Sequence, residues 1–200
     1  MLAGMGKRVP WLPWTVVGAV AFSAWWLWRR ASGGTGEVVA FPVPSSHWPV
    51  VPKLLFGYQR TAAHRHQGVD IPAPVGAPVV AAVGGRVVHV CKSGGCPGFS
   101  GYGNVIVIEA EPTNATPRLW FLYAHLSRVG VYVGQTVATG ESIGAVGDVC
   151  GTTDDPSREC GGAHLHFESS PNHYPQDSEA TRYDPKKVFA ALESTRPPVA

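Results

Sequence analysis

The stretch Ala163-His164-Leu165-His166-Phe167-Glu168 restricts the fold more than any other in the sequence. Its polar residues His164, His166 and Glu168 alternate with the apolar Leu165 and Phe167, the period of a strand with one apolar face. In such a strand both imidazoles point to the same side, two residues apart. They can share a metal ion, or one can bind the ion while the other moves protons. A surface strand with two solvated histidines has the same pattern, so the rest of the chain must decide between them.

Two hundred residues fit one domain with something appended. The 24 glycines and 18 prolines, with little charge between them, suit short strands and tight turns rather than disorder or a collagen-like repeat. A net charge of +2 without a long basic run leaves no footprint for nucleic acid. Such a mild positive balance tolerates an anionic polymer as partner and argues for nothing more.

Trp11 to Trp28 carries no charged side chain and is flanked by Lys7-Arg8 and Arg29-Arg30. Eighteen residues at ~1.5 Å rise cover roughly 27 Å, close to the hydrocarbon thickness of a bilayer. Tryptophans gather at both ends, as they do at membrane interfaces. The run is longer than a signal-peptide core of ~7–15 residues, and its tryptophan-rich end is a poor cleavage context. The expectation is a retained transmembrane anchor at 11–28, with residues 1–10 in the cytoplasm and a glycine-rich linker at 29–40.

Cys91 and Cys96 bracket a four-residue loop, and Cys150 and Cys160 bracket a longer polar one. Four cysteines permit three pairings, of which nearest-neighbour disulfides are the simplest. Each would stabilise by about 2–3 kcal/mol on a loop-entropy account. A four-cysteine zinc site competes with that reading, but neither pair has the usual two-to-four-residue spacing. Disulfides and an anchor together place the folded part outside the cytoplasm, on the periplasmic or extracellular side of the membrane.

The remaining chain reads as strands. Leu54 to Arg60 resembles an edge strand. Gly76–Ala82 and Gly85–Val90 read as two strands joined by a Gly84-Gly85 turn. Asn104 to Ile108 is apolar at all but its first position, as a strand covered on both faces would be. Leu119, Phe121, Tyr123 and His125 alternate with Trp120, Leu122 and Ala124, so His125 ends another strand. Two turn-strand repeats follow, at Val133–Val137 and Gly140–Gly144, and a short amphipathic helix spans roughly Pro185 to Leu192. The expected class is all-β, with a folded domain over residues 41–192 and a short tail at 193–200.

His66-Gln67-Gly68-Val69-Asp70-Ile71 supplies a second candidate element. In an extended segment His66 and Asp70 share a face, and Gly68 lets the backbone approach a ligand closely. Histidine with aspartate is an acceptable zinc pair.

Four stretches, in this order, resemble the lysostaphin/LytM-type (beta-lytic) zinc endopeptidases that hydrolyse peptidoglycan: His66–Ile71, Gly101–Ile108, Leu122–Ser127 and Gly162–Glu168. The likeness runs from about Phe41 to about Phe189. It implies a compact antiparallel sheet crossed by a groove. One zinc ion would sit on His66, Asp70 and His166, with a fourth position open to water. His125 and His164 would act as general base and as stabiliser of the oxyanion, without a division of the two roles. The substrate implied is the peptide stems and cross-links of peptidoglycan, and a regulatory protein partner is compatible with the family. The competing expectation is a non-catalytic relative that binds the wall or regulates other hydrolases.

Some residues carry weaker expectations. Glu168 orients a ligand from behind or, by the preferred reading, is a solvated glutamate at a strand end. His64 is a surface-loop histidine, and His47, His89 and His173 have no assigned role. Tyr102 and Asn104 either shape the groove or serve turn and strand-start geometry. The sequence departs from the family in having Ala163 where proline is common, and in the long Cys150–Cys160 segment that would border the groove.

Overall fold

Val105 to Ile108 are four consecutive β-branched residues, stiff at χ1 and suited to a pleated surface rather than a helix. In the computed structural model all four are fully buried inside an eight-stranded sheet. The structure describes residues 39–44, 47–92, 95–110, 118–147, 162–174 and 181–195. The expected membrane span at 11–28, most of the linker and the Cys150–Cys160 loop lie outside them. Among the described residues no helix is long and apolar enough to cross a membrane.

The strands are β1 (Val69–Pro72), β2 (Pro78–Val80), β3 (Gly85–Cys91), β4 (Asn104–Ala110), β5 (Trp120–Val129), β6 (Thr136–Val137), β7 (Ser142–Val146) and β8 (His164–Ser170). Their order is β1-β8-β5-β4-β3-β6, with β7 beside β5 and β2 beside β7. Every pairing is antiparallel. Among the described residues one α-helix, α1 (Pro185–Ser194), follows. The expectation of a mainly antiparallel β-domain with little helix is met.

Alternation in the central strands splits the apolar residues between two faces. Ile106, Ile108, Phe121, Tyr123, Leu165 and Phe167 join the larger cluster, which α1 covers with Phe189 and Leu192. Val105, Val107, Trp120, Leu122 and Ala124 join a smaller cluster on the other face, with Tyr174 and Phe99. The helix begins cleanly: the Asp184 side chain accepts from the Lys186 backbone N–H at 3.0 Å, and Pro185 occupies the first turn.

Three local expectations are corrected. Residues 54–60 do not form an edge strand. Pro52–Leu54 is a 3-10 turn, and Gln59 bridges Arg65 across a short loop. β2 and β3 do not pair with each other across Gly84-Gly85. β2 pairs with β7, while β3 pairs with β4 and β6. His125 does not end its strand. β5 runs on to Val129, but at His125 it leaves β8 and takes β7 as its new partner.

Candidate metal centre and its surroundings

β1 and β8 are adjacent, and their register sets Asp70 directly opposite His166. His66, just ahead of β1, is held by two backbone hydrogen bonds: its N–H to Tyr58 O and its carbonyl to Gly57 N, each 2.8 Å. Gly68 makes this approach possible. A Cβ there would lie 2.5 Å from Phe167 O and 3.0 Å from His166 Cε1. The close approach expected of Gly68 is therefore to the neighbouring strand.

The result is a buried cluster. Asp70 Oδ1 lies 2.7 Å from His166 Nδ1 and 3.1 Å from His66 Nε2, and the two imidazole nitrogens are 3.2 Å apart. The far side of each ring is already committed. His66 Nδ1 donates to Leu55 O at 2.9 Å, and His166 Nε2 donates to Glu168 Oε1 at 2.8 Å. The nitrogens that remain are acceptors, as is the carboxylate oxygen. Three convergent acceptors require a positive centre: a metal ion, or without one a proton on His166. This donor set fits a divalent cation, and these three residues could hold one.

Two more histidines stand beside the cluster. His164 Nδ1 donates to Gly162 O at 2.6 Å, so its Nε2 faces inward, 3.7 Å from Asp70 Oδ1. The His125 ring is 4.9 Å from that of His164 and 5.7 Å from that of His166. His125 Nδ1 is buried and has no hydrogen-bond partner among the described residues. All five residues singled out from sequence therefore meet in one place.

Burial and charge set the protonation states. Burial, with the neighbouring His166 and His164, pushes His125 down to about 3, so it is neutral at physiological pH. Burial alone would raise Asp70, but hydrogen bonds from His166 and His66 prevail and hold it well below the usual carboxylate range. Burial likewise disfavours protonated His166, yet its hydrogen bonds to Asp70 and Glu168 lift it to about 9. Burial pushes Glu168 up, and the His166 hydrogen bond leads the contacts that bring it down to about 2.

Glu168 is not a solvated strand-end residue. Its exposure is 0%, because all seven residues of β8 are buried. Arg60 was missed from the sequence: its guanidinium pairs with Asp70 Oδ2 while half its side chain faces solvent. Tyr174 and Arg182, which hold Glu168, were also missed. Tyr102 donates its hydroxyl to Glu168, and Asn104 Nδ2 caps Leu126 O at 2.7 Å where β4 and β5 change register. His64 is exposed, as expected, and His89 and His173 pack against each other on the smaller-cluster face.

An antiparallel sheet that brings two histidines and an aspartate together, with two spare imidazoles alongside, defines a class of β-domains with a potential metal centre. Within that class this chain belongs to peptidase family M23, whose family model matches residues 64–178, more than half of its length. The resemblance to lysostaphin and LytM-type proteins is thereby established. The DD-carboxypeptidase/endopeptidase Mpg of Neisseria meningitidis is 36% identical over 134 residues, covering 63% of this chain and 26% of that protein. The catalytic domain of lysostaphin from Staphylococcus simulans superposes with a TM-score of 0.50 at 26% identity, covering 76% of this chain and 90% of that one. A zinc-containing peptidase from Vibrio cholerae gives a TM-score of 0.52 at 25% identity, covering 81% and 41%. The chain spans about two fifths or less of the length of the curated relatives it matches.

Proposed function

We propose that the chain is a zinc metallopeptidase that hydrolyses peptide cross-links of peptidoglycan in the cell envelope, held at the membrane by residues 11–28. One observation carries this reading: β1 and β8 bring three acceptor atoms, from His66, Asp70 and His166, to within 3.2 Å of one another, with no internal donor but a proton to reconcile them. Membership of a peptidase family, and relatives whose names include an endopeptidase and a zinc-containing peptidase, support the same chemistry.

His66 Nε2, Asp70 Oδ1 and His166 Nδ1 would hold the ion. A zinc ion bound there supplies a Lewis acid that polarises a peptide carbonyl and acidifies water. The histidines beside it then divide the proton work. His164 turns its Nε2 toward the cluster, because its Nδ1–H is spent on Gly162 O, and so is placed to serve as general base. His125 is neutral and its Nδ1 is uncommitted, so it can donate an N–H to the developing oxyanion. Arg60 holds the second oxygen of Asp70 and leaves the first directed at the cluster. The loop carrying Gln59, Ala62 and Arg65 borders an open cleft that reaches His66, where a peptide stem would lie.

Metal analysis of the purified chain and its action on purified sacculi test this together. Wild type is expected to retain about one zinc per chain and to release soluble muropeptides, which mass spectrometry assigns to a bond. His166→Ala is expected to lose both the metal and the activity. His164→Ala is expected to keep the metal and lose about 10²–10⁴-fold in rate. A wild type that holds zinc yet leaves sacculi and defined muropeptides intact would favour the non-catalytic reading and sink the enzymatic one.

A further inference from the structure

Burying a carboxylate without partners is among the most costly things a fold can do. Glu168 is buried completely, on a strand flanked by β1 and β5, one alternation beyond His166 on the same face of β8. Four donors compensate for it, two on each oxygen. Oε1 accepts from His166 Nε2 at 2.8 Å and from the Tyr102 hydroxyl at 2.6 Å. Oε2 accepts from the Tyr174 hydroxyl at 3.0 Å and from Arg182 Nε at 2.7 Å. The Arg182 guanidinium in turn lies 3.9 Å over the Tyr174 ring.

We propose that Glu168 is a positioning residue for the metal centre: anchored by Tyr102, Tyr174 and Arg182, it fixes the His166 ring with Nδ1 facing the ion and so sets the affinity of the site. The inference rests on the reading of His166 as a ligand. An imidazole flipped about its long axis would present carbon to the cluster, and the Nε2–H bond to Glu168 selects against that flip. Sterics add to the selection, since the backbone entering β1 passes so close that a Cβ on Gly68 would sit 2.8 Å from Glu168 Cγ and 3.0 Å from His166 Cε1, which closes that side to both side chains. The carboxylate also makes the ring a better electron donor than a neutral acceptor would. Because the donors come from residues 102, 174 and 182, three separate parts of the chain are committed to the orientation of one ring.

The test is zinc affinity by competition against a chromophoric chelator, using the full chain. Glu168→Gln preserves shape but removes the negative charge beside Arg182, so it is compared with the double variant Glu168→Gln/Arg182→Met, which removes both charges of the pair. Both are expected to bind zinc about 10–100-fold more weakly than wild type, with far-ultraviolet circular dichroism unchanged. A folded double variant with wild-type affinity would overturn the proposal. A second measurement needs no variant: nitrogen-15 correlation of the histidine rings in zinc-loaded wild type is expected to find the His166 proton on Nε2. A proton on Nδ1 would overturn the proposal outright. If wild type takes up no zinc, the metal reading fails and this inference goes with it, an outcome distinct from wild-type affinity in the variants.

Discussion

His125 has a φ of 57°, the left-handed region, and is the one non-glycine residue with positive φ among those described. A side chain there costs on the order of 1 kcal/mol, and the surrounding sheet imposes it. His125 N–H donates to Tyr102 O at 2.9 Å, and its carbonyl accepts from Gly147 N at 2.8 Å. The strain places an imidazole beside the cluster instead of along the strand. His125→Gly should therefore be more stable than His125→Ala by about 1 kcal/mol in urea unfolding, although both lack the ring. Equal stability would mean that the conformation relaxes once the ring is gone. His166 carries a second prediction. In the metal-free protein its pKa of about 9 puts a proton where the ion would sit. Zinc binding at neutral pH must then displace that proton. Affinity should rise about tenfold per pH unit up to about pH 9 and level off above it. Calorimetry in buffers of different ionisation enthalpy counts the protons released; none at pH 7 would contradict the assignment.

At the scale of elements, the strand-partner exchange in β5 builds the site. Trp120 to Ala124 pair with β8, and Leu126 to Val129 pair with β7. Gly147, just past β7, makes the exchange possible: a Cβ there would stand 2.7 Å from His125 O and 2.9 Å from Ser127 N, both rigid backbone. Gly147→Ala should cost about 1–3 kcal/mol, as overpacking does, and should lower activity further by moving His125; chemical denaturation and sacculus turnover measure the two separately. Much of this architecture was legible in the sequence. Val105–Ile108 announced a strand covered on both faces, and the alternation through Leu119–Tyr123 and His164–Glu168 gave each strand its two faces. Strand partners were not legible. The Gly84-Gly85 pair reads as a hairpin turn, yet β2 finds β7 more than sixty residues away, because pairing is decided by packing and not by local turn chemistry. Glu168 was misjudged for a related reason. Alternation put it on the face of the two histidines, but only the tertiary positions of Tyr102, Tyr174 and Arg182 make that face dry.

For the whole molecule, the cross-link and the candidate metal site meet through the smaller cluster, to which Cys91, Cys96, Tyr102 and Tyr174 belong and whose two tyrosines hold Glu168. The disulfide joins Cys91, at the end of β3, to Cys96, with Cα atoms 5.8 Å apart. Cys91 packs with Phe99 and Val105 in the smaller cluster. Along the sheet β4 and β5 separate β3 from β8, which carries the candidate ligand His166, so the link runs through the cluster. Closing so short a loop removes little freedom from the unfolded chain, so the bond stabilises by about 2 kcal/mol. A bound ion would act through mass action on the native state, worth about 4 kcal/mol at a thousand times its dissociation constant. Effects at sites that share a packed cluster should couple rather than add. Reducing the disulfide is therefore expected to lower unfolding free energy by about 2 kcal/mol in the metal-free protein, by more in the zinc-loaded protein, and to weaken zinc binding. Four urea-unfolding curves, oxidised and reduced, loaded and metal-free, measure the coupling directly. A loss of stability on reduction that is the same with and without zinc would mean that the β3 end and β8 are energetically independent.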